Sequence, residues 1–153
     1  MPSWKVMDEA IINAAPSAVF RALVDEYSGR SSWWKPFLEA KLRGGGKALQ
    51  GGSTFDIHVR YRGKARFTGE ITEIVECRLI RVAYTGGDFL GEGEWTLRPS
   101  DGKTKLNFLW SVRSDRFLLT LISPFVDVGK NHSEVVRLGF MGLNDHLSRT
   151  DPV

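Results

Sequence analysis

"GGDFLGEGEWTL", residues 86–97, decides how the rest of the chain is read. It begins as a turn and ends as a strand. Phe89, Gly91, Gly93, Trp95 and Leu97 lie two apart, so on a strand they share one face. Glycine on a core-facing row weakens a strand and buries nothing. Two explanations stand open: another backbone comes close, or the face borders a space. The alternate row, Glu92 and Glu94, reads as surface partners for cations on a neighbouring strand and not as a catalytic pair.

The period of two extends over residues 53–114. Phe55, Ile57, Val59 and Tyr61 share a face, and Asp56, His58 and Arg60 take the other. Ala65, Phe67, Gly69 and Ile71 form a second inward row, then Ile80, Val82 and Tyr84, and last Leu106, Phe108, Trp110 and Val112. Turn signals at "YRGKAR" (61–66) and "SDGK" (100–103) make these strands antiparallel hairpins. Upstream, residues 4–12 read as a first strand. "NAAPSAVFRALVDE" (13–26) reads as a short helix with Pro16 in its first turn. "SSWWKPF" (31–37) is a turn or short helix stopped at Pro36, and "LRGGGKALQGGSTF" (42–55) a glycine-rich connection.

The end of the chain changes period. Phe125, Val128, His132, Val136, Gly139 and Leu143 recur at helical spacing, with Ser123 as cap and Pro124 as first helical residue. A helix from 124 to about 149 would be roughly 39 Å long. The fold class is therefore α+β: a curved antiparallel sheet whose apolar face is covered by the long C-terminal helix. A sheet curved around one helix leaves room for an internal cavity. In this reading Gly91, Gly93, Gly139 and Gly142 keep it open.

Composition bounds the function. At 153 residues the chain reads as one domain, 1–153, with 42% hydrophobic and 25% charged residues, as in an ordinary soluble protein. A net charge of +3 does not argue for nucleic acid. The single cysteine, Cys77, excludes an internal disulfide and fits a cytoplasmic setting. The N-terminus has no signal-peptide pattern, and "FLLTLISPFVDV" (117–128) is too short to span a bilayer, so no transmembrane segment is expected.

The order of elements carries a resemblance. With "APSAVFRALVDEYSGRSSWW" (15–34), "GGDFLGEGEWTLRPSDGKTKLNFLWSV" (86–112) and "NHSEVVRLGFMGLNDHL" (131–147), the chain resembles the START-like, or SRPBCC, superfamily over nearly its whole length. Within it, the closer likeness is to the polyketide cyclase/dehydrase and lipid-transport group. The resemblance implies a helix-grip fold around a deep apolar cavity. It implies no particular reaction, because such folds host carriers, receptors and enzymes alike.

The inward phase places Phe55, Ile57, Tyr61, Phe67, Tyr84, Trp95, Trp110, Val128, His132, Val136 and Gly139 on the cavity wall. Trp33 and Trp34 follow the first helix, a region that in a helix-grip protein lies near one end of the cavity; either one is buried and one stands at the mouth, or the pair is a plain structural anchor. His132 is the candidate catalytic residue, set against the plainer role of a satisfied core histidine. His58 and His146 stand elsewhere, so no metal site and no cofactor are expected. His58, Arg60, Arg62, Lys64 and Arg66 form the local basic cluster, read as a solvated edge without aromatics for stacked bases. "RGGGK" (43–47) lacks the spacing and helix of a phosphate loop.

The leading expectation is a binding protein for a lipid, quinone or polyketide-like molecule. The alternative is a cyclase or dehydratase in which His132 and a tyrosine move protons. A partner-binding role, through Leu138 and Met141 on the polar face of the last helix, ranks third, and the reading leaves room for a homodimer.

Overall fold

The computed structural model describes residues 2–44, 48–122 and 126–150. Strand β1 (Ser3–Ile12) leads into helix α1 (Pro16–Tyr27), followed by β2 (Leu38–Leu42), β3 (Thr54–Arg60), β4 (Lys64–Val75), β5 (Leu79–Gly87), β6 (Leu90–Ser100) and β7 (Lys103–Arg113). Two helices end the chain, α2 (Phe117–Ile122) and α3 (Val128–Thr150). Among these residues the strands form one seven-stranded antiparallel sheet, ordered β1-β7-β6-β5-β4-β3-β2.

The curved sheet closed by a long C-terminal helix is the architecture the alternation implies. Helix α3 lies on β1 and touches α1, while α1 crosses β2, β6 and β7. Helix α3 is tied to β1 at both ends. Ser133 donates to Asp8 at 3.1 Å, Asn144 accepts from the Asn13 N–H at 2.8 Å, and its amide donates to the Ile11 carbonyl at 3.2 Å. Asp127 caps α3 by accepting from the Lys130 N–H at 2.9 Å. The expected cap Ser123, with Pro124 and Phe125, lies outside the described residues. Within them, the helix starts at Val128.

Two elements depart from the sequence reading. The connection after Pro36 contains β2, which pairs Leu38 with Val59 and Leu42 with Phe55. Its five residues are too few for period two to stand out beside the glycines. Helix α2 also went unread, because Phe117–Ile122 is almost uniformly apolar and shows no period.

The inward glycines are explained by the register. Each stands across from a large aromatic: Gly69 opposite Phe55 and near Tyr84, Gly87 opposite Phe67, Gly91 opposite Tyr84, and Gly93 opposite Trp110. A Cβ on Gly69 would lie 2.5 Å from the Phe55 ring, and one on Gly93 would lie 2.5 Å from the Tyr84 hydroxyl. At Gly91 backbone is the neighbour: a Cβ there would collide with the Ser111 carbonyl, and φ is +144°. A Cβ on Gly139 would meet the Trp34 indole at 2.5 Å, and one on Gly142 would run into the Trp33 carbonyl oxygen. The expectation that these glycines hold a hollow open is therefore corrected. They make room for rings and backbone of the protein itself.

Candidate functional site

A cavity of about 360 Å³ lies between the sheet and α3. Sequence phase explains its sheet wall: Ile57 and Val59 of β3, Ala65 and Phe67 of β4, Tyr84 of β5, and Phe108 and Trp110 of β7 all point inward. Helix α3 supplies Val128, His132, Val135 and Val136, which recur at helical spacing. Helix α1 supplies Leu23, Glu26 and Tyr27, and the loop after it Trp33 and Trp34. The lining also includes exposed residues of the β3–β4 turn, Arg62, Gly63 and Lys64, together with half-buried Leu119, Ile122, Val126 and Asn131. The mouth therefore opens between that turn and the described residues of α2 and the start of α3.

The two tryptophans are both buried, as in the anchor reading and not with one at the mouth. They stack at 5.3 Å with 11° between planes. Trp33 donates its indole N–H to the Ala22 carbonyl at 3.1 Å, and Trp34 donates to the Val135 carbonyl at 2.9 Å. Glu26 holds the same loop, accepting from the Trp34 backbone N–H at 2.8 Å and from Ser31 Oγ at 3.0 Å. Burial raises its pKa, while the Trp34 and Ser31 hydrogen bonds pull the other way.

His132 stacks on Trp110 with ring centres 3.8 Å apart and planes 9° apart. Its Nε2 is buried without a hydrogen-bond partner among the described residues. The residue is half-buried and its ring borders the cavity on one side; the burial of its ring nitrogen lowers its pKa to about 3. The imidazole is thus neutral at pH 7. Tyr27 accepts from the Trp95 indole N–H at 2.8 Å, and burial pushes its pKa up to about 12. Burial likewise raises Tyr84 well above the ordinary range. These phenols stay protonated and retain O–H groups.

At the mouth, Tyr61 donates a short hydrogen bond to Glu134 of α3. Arg62 pairs with the same carboxylate at 3.5 Å, and its guanidinium lies 5.6 Å from the Tyr61 ring centre. The basic edge is partly neutralised in the same way, with Arg60 3.7 Å from Glu39. On the outer face of β6, Glu94 pairs with Arg81 at 2.9 Å, the surface role read from its phase.

Ten of the residues placed on the wall from sequence border the cavity: Trp33, Trp34, Ile57, Tyr61, Phe67, Tyr84, Trp110, Val128, His132 and Val136. Three do not. Phe55 is fully buried, with its ring 5.0 Å from Tyr27 and lying over Gly69. Trp95 stacks on Phe108 at 4.1 Å, beneath the cavity floor. Gly139 faces the Trp34 indole. All three have the inward phase, but phase does not say whether protein or space lies opposite.

Glu26 and Tyr27 were missed. Their signal was present, since Val19, Ala22, Leu23 and Glu26 follow helical spacing on one face. A carboxylate at the end of an apolar stripe is read too readily as the helix turning to solvent. Among the described residues, no group of three His, Cys, Asp or Glu comes together as a metal site, and no helix is long and apolar enough to cross a membrane.

Comparison with known proteins places the chain. A family model described as "Polyketide cyclase / dehydrase and lipid transport" matches residues 3–135. No curated protein sequence matches significantly. Among solved structures, TTHA0849 from Thermus thermophilus is similar with a TM-score of 0.75 and 23% identity, covering 97% of this chain and 100% of that one. Ms6760 from Mycobacterium smegmatis is similar with a TM-score of 0.69 and 14% identity, covering 96% of this chain and 92% of that one. Ara h 8.0201 has a TM-score of 0.68 and 12% identity, with 97% and 100% covered. At such identities these likenesses establish the fold, a START-like helix-grip.

Proposed function

This chain belongs to the polyketide cyclase/dehydrase and lipid transport family, and on that premise we propose that it binds a small apolar or amphipathic molecule, a lipid, quinone or polyketide-like compound, in its cavity. The observation that carries this is the cavity itself: about 360 Å³, with walls of aromatic and branched side chains and a few polar tips. Its size falls at the small end of ordinary small-molecule pockets. Protein interiors are otherwise packed as densely as organic crystals, so a space of this size is a built feature.

The polar groups suit orientation better than proton transfer. A histidine with a pKa of about 3 is a weak base, far from the near-neutral pKa that favours general-base catalysis. Neutral, it donates through one ring nitrogen and accepts through the other, which fits a ligand hydroxyl or carbonyl. One observation favours the alternative, a cyclase or dehydratase: Glu26 borders the cavity with a raised pKa. Both its oxygens already accept hydrogen bonds that hold the Trp33–Trp34 loop, so the carrier reading ranks first.

The test uses Trp33, Trp34 and Trp110, which border the cavity and report on its contents. Quinones and fatty acids titrated into the protein should change tryptophan emission saturably, and native mass spectrometry of gently purified protein should show a bound apolar molecule. Absence of both signals would remove the binding reading. Robust turnover of a polyketide-like ketone, lost in Glu26→Gln or His132→Gln while binding survives, would install the enzyme instead.

A further inference from the structure

The rim of the cavity exposes apolar side chains that the cavity does not use. Phe117 is 79% exposed and Leu121 60%, both on α2. The same short helix turns Leu119 and Ile122 inward, where they line the cavity. An isolated exposed leucine is ordinary; two large apolar side chains on one short helix at a cavity mouth are not. Across the mouth, the β3–β4 turn presents Arg62 and Lys64, and the first turn of α3 presents exposed Lys130. Of the nearby carboxylates, Glu134 accepts from Tyr61 and is paired with Arg62, which sets those two charges against each other, while exposed Asp127 caps α3 and keeps its charge. Exposed Asp115, just before α2, is a further opposing charge.

We propose that this rim docks on an anionic lipid bilayer, with Phe117 and Leu121 entering the headgroup layer and Lys64 and Lys130 facing lipid phosphates. Apolar side chains flanked by cations are the chemistry that seats a protein at a membrane interface without spanning it. A bilayer fits better than a protein partner because the exposed side chains are few and ringed by long flexible cations, which match a fluid charged surface and not a shaped pocket. That docking would deliver an apolar ligand without a passage through water rests on the proposed function. The docking itself does not, and it is measured without ligand.

The experiment is co-sedimentation of the full chain with vesicles of phosphatidylcholine alone, or with a quarter of it replaced by phosphatidylglycerol. Binding should appear on the anionic vesicles and weaken as salt is raised. Phe117→Ser with Leu121→Ser should weaken it roughly tenfold or more. Lys64→Gln and Lys130→Gln should each weaken it about fivefold, and Asp115→Asn should strengthen it. Met141 is 67% exposed on α3, several turns from the mouth, so Met141→Ser should leave binding unchanged. Thermal melts and tryptophan titration with a quinone check that each variant is folded and that its cavity is intact. No binding to anionic vesicles, equal loss in the Met141 variant, or full binding by the Phe117/Leu121 double variant would overturn the proposal. Vesicle binding without any ligand uptake would sustain the docking and remove the cavity reading.

Discussion

The floor beneath the cavity and the mouth above it are built from the same kinds of residue and behave oppositely. At the floor, Trp95 stacks on Phe108, Phe55 fills the space over Gly69, and Trp34 fills the space over Gly139. There, each missing side chain is matched by a ring. Toward the mouth, Tyr61, Phe67 and Trp110 are just as large, yet they border open space. The difference lies in the opposite surface. Beneath the floor, α1 and the Trp33–Trp34 loop close against the sheet, whereas near the mouth, among the described residues, the start of α3 and the short α2 stand across from it. A large aromatic on an inward row is thus core or cavity wall according to what faces it.

The largest expected effect breaks the floor. Gly139→Leu would drive a side chain into an indole pinned by its bond to Val135, so it should cost about 3 kcal/mol or more in urea unfolding. A cost under about 1 kcal/mol would mean that Trp34 moves aside and that the floor is softer than drawn.

The second concerns pH. His132 has a folded pKa of about 3, below the ordinary 6.5, so the unfolded chain binds the extra proton between those values. Stability contributed by the neutral ring is complete above 6.5 and is lost as pH falls toward 3. Burial raises the pKa of Glu26 and Asp8, which acts in the opposite direction. The clean measurement is therefore a difference. Relative to His132→Gln, the parent should lose about 2–3 kcal/mol between pH 7 and pH 4.5 in paired unfolding curves. Parallel pH profiles would show that His132 is hydrated through the mouth.

Third, Glu26→Gln keeps the shape but must present an amide where two acceptors served Trp34 N–H and Ser31. It should cost about 1–2 kcal/mol and loosen the loop, seen as faster hydrogen exchange at the Trp34 amide. Unchanged exchange would show that the indole bonds alone hold it. Smallest in stability is Ala65→Leu, which adds bulk into the cavity and not into packed protein. It should cost under about 1 kcal/mol while sharply reducing ligand uptake. A cost equal to that of Gly139→Leu would erase the distinction between floor and mouth.

Much of this was legible in the sequence. Period two from Phe55 to Val112 and helical spacing from Val128 to Leu143 gave the sheet and the helix, because each has one buried face that the pattern must satisfy. Eight wall residues followed from phase, and Trp33 and Trp34 from the resemblance. Phe55, Trp95 and Gly139 did not, since which inward residues meet space depends on the paths of α1 and the Trp33–Trp34 loop. Those paths are set by single hydrogen bonds, Trp33 to Ala22 and Trp34 to Glu26 and Val135, that leave no period in a sequence. Glu26 was hidden for the same reason: its spacing marks a buried face, but its partners lie eight and five residues ahead in a turn.

The pairing of Phe55 with Gly69 has a consequence for how such proteins diversify. Ring and glycine form a removable plug, seated beside Tyr27, which itself borders the cavity. Shortening the ring would lengthen the hollow toward α1 by one side chain's volume while every strand keeps its register. Enlarging the glycine would demand a smaller partner across the ladder, so the two positions are expected to change together. The capacity of the site can then be reset in discrete steps, by exchanges at one rung of the sheet, without rebuilding the scaffold around it.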